Sequence, residues 1–132
     1  MNRMLERAKL ELSRAEVMLK AGIKSVEALR TFLVQLTGTI EHLVDAVADE
    51  QEKNFDKHLV SEGYIDDDVF ELYYHLKMLT TMDFEKTSDG FKAGNWKSTF
   101  EIDNELLEEY FRKVKSYFLE TAEKTPITTR LE

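Results

Sequence analysis

The chain of 132 residues has no cysteine, one tryptophan and one proline. Without cysteine there are no disulfides, no thiolate metal ligands and no thiol nucleophile, a composition compatible with the reducing cytoplasm in which the protein is expected to reside. No run approaches the ~20 apolar residues that span a bilayer. The opening "MNRMLERAKLELSRAE" is charged every few residues and lacks the apolar centre of a signal peptide. No membrane partner is therefore expected. Positive charge is also scarce: 18 Lys and Arg stand against 26 Asp and Glu, a formal net charge of −8. That balance opposes broad attachment to phosphate backbones or anionic lipid.

The length and a hydrophobic share of 42% suffice for one apolar core. We read a single helical-bundle domain over 1–124 and a loose tail over 125–132, with Pro126 closing the last helix. In 3–21, Leu5, Ala8, Leu12, Ala15 and Leu19 recur at steps of three and four, and Gly22 supplies a C-cap. Across 24–52, Val26, Leu29, Leu33, Leu36, Ile40, Leu43 and Val47 repeat that step, widened by Ala28, Phe32, Val44 and Ala46. This second stretch is expected to be the central helix, with apolar surface to spare for a second copy. After a fading pattern over 53–65, Asp66, Asp67 and Asp68 offer carboxylates to the start of a third helix. Its inner face is Val69, Leu72, Tyr73, Leu76 and Leu79. Asp103 is placed as the N-cap of a fourth, aromatic helix through Tyr110, Phe111, Tyr117 and Phe118.

Between the third and fourth helices lies "LTTMDFEKTSDGFKAGNWKSTF", read as a long connector. A small hairpin around Gly94-Asn95 is the alternative for part of it. The expected fold class is all-α, a four- to five-helix up-and-down bundle with a long loop before the last helix.

Chemistry-bearing patterns are thin. Glu71 and His75 stand at i, i+4, a spacing that lets two side chains reach one ion. The Glu-x-x-His pairs of di-iron bundles are missing, since Thr39, Phe55 and Leu72 stand three before His42, His58 and His75. No metal or other cofactor is expected, and His42 and His75 are read as solvated or partner-facing. No serine lies in a Gly-x-Ser-x-Gly elbow, and Gly90 and Gly94 lack Walker spacing. The connector's lysines alternate with Phe84, Phe91, Trp96 and Phe100 in the manner of a stacking surface for a nucleotide or RNA strand. Lys86, Lys92, Trp96 and Lys97, with His75, form the candidate ligand-binding set. The competing and preferred reading has the rings capping the bundle while the lysines stay in water.

The opening "RMLERAKLELSRAEVMLKAG", the long helix from Ser25, the connector "HLVSEG" and "LKMLTTMDFEK" together resemble the HEPN (higher eukaryotes and prokaryotes nucleotide-binding) domain over about residues 3–122. The catalytic RNases of that family carry an Arg followed after four to six residues by His. Here Thr80 stands where the Arg belongs and no His follows, while "KNFDKH" offers Lys53 rather than Arg before His58. Metal-free RNA cleavage then lacks both its phosphate clamp and its proton carrier. The resemblance implies a non-catalytic interaction subunit, not an enzyme, that pairs with itself as a homodimer and with a nucleotidyltransferase or other partner. The alternative is a nucleotide- or RNA-binding bundle, or an enzyme, that uses the 83–100 loop.

Overall fold

The computed structural model describes residues 3–51, 65–94 and 99–124, and the side chains of all of these but 49–51 and 124. Helix α1 (Arg3–Ala21) buries Leu5, Ala8, Leu12 and Ala15, the stripe read from the sequence. It stops at Gly22, whose φ of 94° suits a residue without a Cβ and whose N–H donates to the Met18 carbonyl at 3.0 Å. Ser25 then caps α2 (Val26–Gln51), its Oγ accepting the Ala28 N–H at 3.0 Å.

Helix α2 is central, as expected: it packs against α1, against α3 (Asp67–Thr80) and against α4 (Asn104–Lys124). Its Leu29, Phe32, Leu33, Leu36, Ile40 and Leu43 are fully buried. The stripe set aside for a second copy is thus covered within the chain, and Val34, 53% exposed, is its large hydrophobic left in water. Asp66 takes the N-cap position of α3 with extended backbone, but its side chain makes no cap hydrogen bond. Asp103 does cap α4, accepting the Leu106 N–H at 2.9 Å. Among the described residues no helix is long and apolar enough to cross a membrane.

The all-α expectation is corrected by a three-stranded antiparallel sheet in order β1-β2-β3, made of β1 (Asp83–Lys86), β2 (Gly90–Gly94) and β3 (Thr99–Asp103). The segment read as a connector therefore carries regular structure, and the fold is mixed α and β. Opposed residues share a face, so the register Phe84↔Ala93↔Phe100 and Lys86↔Phe91↔Ile102 defines the inner side. Phe91, Ala93 and Ile102 are buried there against the helices, while Glu85, Lys92 and Glu101 line the outer side in water. "GFKAG" and "TFEID" alternate with a period of two over only five residues each, and "DFEK" carries a single apolar residue, Phe84. Of the faded stretch 53–65 only residue 65 is described, and Trp96, Lys97 and the tail 125–132 lie outside the described residues.

Candidate functional site

A concavity runs between α3 and α4 and has a volume of about 660 Å³, within the ~300–1,000 Å³ of ligand pockets. Helix α3 contributes Val69, Leu72 and His75 to its floor, and α4 contributes Leu106, Tyr110 and Tyr117. Its rim is acidic: Asp66, Asp68 and Glu71 on one side and Glu109 and Glu120 on the other, with Lys113 the lysine among them. Lys113 is already paired with Glu109 at 3.2 Å, whereas Asp66, Asp68, Glu71 and Glu120 have no ion-pair partner among the described residues.

At the floor, the Tyr110 hydroxyl and His75 Nε2 are 2.7 Å apart. Burial, reinforced by the nearby Lys113 ammonium, holds the imidazole below its ordinary value, so His75 is neutral near pH 7. Burial and the Glu109 carboxylate push Tyr110 up to about 12. The protonated phenol therefore donates to Nε2 and leaves the ring proton on Nδ1. Tyr117 is raised as well, first by its burial and then, through their charges, by Asp66 and Glu120. Burial is the main cause in all three; beyond it, the two tyrosines register neighbouring carboxylates while His75 registers the Lys113 ammonium.

These directions set a pH dependence. Below the ordinary imidazole value near 6.5, the unfolded chain takes up a proton that folded His75 refuses, so stability falls with pH and levels off once the folded ring titrates. Above 10 the unfolded phenol ionises while folded Tyr110 keeps its proton to about 12, so stability falls again. In calorimetric scans, His75→Gln is expected to flatten the slope of Tm between about pH 6.5 and 5. An unchanged slope would remove His75 from the account.

The candidate ligand-binding set is dispersed. His75 lies in the groove. Lys86 lies on the inner side of the sheet, its ammonium 5.3 Å from the Phe91 ring centroid and donating to the Thr87 carbonyl. Lys92 lies on the outer side, between Glu85 and Glu101 in the register. The structure does not bring Lys86 and Lys92 to one surface, and Trp96 and Lys97 are outside the described residues.

Sequence reasoning also missed polar links of α2 away from the groove. His42, read as solvated or partner-facing, pairs with Glu11 of α1 across the interface with α2. Gly38 makes room for that carboxylate, which a Cβ at this position would strike. Glu41 accepts the Tyr73 hydroxyl at 2.6 Å and lies 3.4 Å from the Lys77 ammonium. A helical wheel of α2 alone shows His42 and Glu41 off the apolar stripe but not which neighbour meets them. Comparison of the chain with protein-family models, with curated proteins and with solved structures finds no match in any of the three.

Proposed function

We propose that the chain is a non-catalytic interaction subunit of HEPN-like type whose α3–α4 groove docks a protein segment bearing both basic and apolar side chains. The observation that carries this reading is the pairing of an apolar floor with a rim of five carboxylates and one lysine already engaged by one of them. Such a surface favours a cationic amphipathic helix and repels phosphate. The HEPN resemblance adds self-pairing and a nucleotidyltransferase as the first partners to test. The nucleotide or RNA alternative is not favoured, because Lys92 is flanked by two glutamates and Lys86 lies on the opposite side of the sheet.

The test is a fluorescence-anisotropy titration with a labelled, helical 14-residue leucine–lysine peptide. The peptide is expected to bind, and Glu71→Lys with Glu120→Lys to weaken it at least tenfold. Asp83→Lys with Glu108→Lys, exposed acids that do not line the groove, should leave it unchanged. Trp96 fluorescence should stay flat with nucleotides and a short oligouridine. Tight nucleotide binding, or peptide binding indifferent to the groove substitutions, would overturn the reading.

A further inference from the structure

The outward face of α1 matches the groove in both chemistry and length. Arg3, Arg7, Leu10, Arg14 and Val17 follow one another at steps of three and four, so they share one helix face. That face lies opposite the buried Leu5, Ala8, Leu12 and Ala15. All five side chains are exposed, Leu10 at 50% and Val17 at 66%, which leaves two large apolar groups in water on the same stripe as three arginines. None of the three arginines has an ion-pair partner among the described residues.

From Arg3 to Val17 the stripe rises through 14 residues, roughly 21 Å. The α4 wall of the groove, from Leu106 to Glu120, is the same length. A chain of net charge −8 ordinarily repels its own copies. Here the acidic and basic surfaces are segregated onto different helices, so each copy carries both halves of one complementary contact.

We infer that the outer face of α1 of one copy seats in the α3–α4 groove of a second copy, and that the exchange is reciprocal in a two-fold dimer. Arg3, Arg7 and Arg14 then meet the carboxylates left unpaired in the groove, and Leu10 and Val17 meet its apolar floor. Reciprocity closes the assembly at two; a one-way contact would leave an open chain of copies. The inference rests on the groove's being a protein-docking surface and adds the identity of the occupant. Asp66 and Glu120, whose charges add to the burial that raises Tyr117, are among the unpaired carboxylates the arginines would meet.

The experiment is a charge swap read by light scattering and sedimentation. One variant carries Arg7→Glu and Arg14→Glu; the other carries Glu71→Lys and Glu120→Lys. All four positions are exposed, so both variants should keep the circular dichroism spectrum of the parent and unfold cooperatively, with Tm lowered only by the loss of the dimer. The parent is expected to be dimeric, with its dissociation constant raised at least tenfold between 50 and 500 mM salt. Each variant alone should be monomeric. An equimolar mixture should form a heterodimer, because the reversed stripe of one meets the reversed groove of the other while the unaltered pair meets at the second contact. A monomeric parent, a dimer that persists in either variant, or a mixture that stays monomeric overturns the inference. If the parent is monomeric yet binds the leucine–lysine peptide in the groove, docking stands and self-docking alone falls. If neither the peptide nor a second copy binds, both fall.

Discussion

Replacing Arg30 with alanine is expected to lower the unfolding free energy by about 3 kcal/mol and to loosen the first strand before the helices separate. Arg30 leaves the first turns of α2 and reaches the far end of α3. There its two terminal nitrogens donate to the carbonyls of Thr80 at 3.0 Å and Met82 at 2.9 Å. Thr80 ends α3, so the guanidinium meets a carbonyl that the helix itself leaves unsatisfied, at the negative end of the helix dipole. The same group lies 4.9 Å from the Phe84 ring centroid in β1, which ties α2, α3 and the sheet at one point. Alanine removes all three contacts and leaves two carbonyls without a donor. Lysine keeps the charge but is a single point that cannot span both acceptors, so Arg30→Lys should recover less than half of the loss. Urea denaturation supplies the free energies, and amide exchange in 83–86 supplies the order of opening. If the lysine variant is as stable as the parent, the two-carbonyl geometry is not what matters at this position.

Arg30 also shows where sequence reasoning runs out. Stripes at steps of three and four are local properties of one helix, and they placed α1, α2, α3 and α4 to within a few residues. Gly22, Ser25 and Asp103 act within a few residues of themselves, so the sequence alone signals their caps, whether or not each is singled out. Arg30 to Thr80 is a contact across fifty residues, and nothing near "ALRTF" announces it. Glu11 with His42 and His75 with Tyr110 are hidden for the same reason, because each pair joins two helices whose relative rotation no single stripe fixes. The three arginines of α1 were legible at helical spacing, but alone they read as a solvated face. The partner proposed for them is suggested only by the α3–α4 groove, whose lining carboxylates no single stripe reveals. The strands, weighed only as a small hairpin around Gly94-Asn95, lost to the connector reading on a different ground. Each is four or five residues long, too short for alternation to outweigh a glycine-rich connector, and their pairing is a tertiary event.

Gly90→Val is expected to destabilise the protein by about 3 kcal/mol, although valine is the better strand former and Gly90 opens β2. The constraint is space. A Cβ at Gly90 would run into the Ile102 carbonyl oxygen and come within 3.1 Å of the Asp103 Cα. Both are backbone, which cannot rotate away as a side chain end can. The Gly90 carbonyl also accepts the Thr87 N–H at 2.9 Å, closing the turn around Ser88 and Asp89, so β2 cannot retreat without opening the other edge of the hairpin. The displacement must therefore pass into β3, where Gly90 is opposed by Asp103. Asp103 is the N-cap of α4, and the Leu106 N–H that it holds begins the groove's wall. A substitution on the sheet should thus reach the docking surface: leucine–lysine peptide binding is expected to weaken severalfold in Gly90→Val even at temperatures where the variant stays folded. Lys92→Val, two residues along the same strand on the outer side, should change stability by less than about 0.5 kcal/mol and leave binding intact. If both variants lose stability equally, general strand disruption replaces the steric argument. If Gly90→Val loses stability but binds the peptide like the parent, the sheet does not position α4 in the way its cap implies.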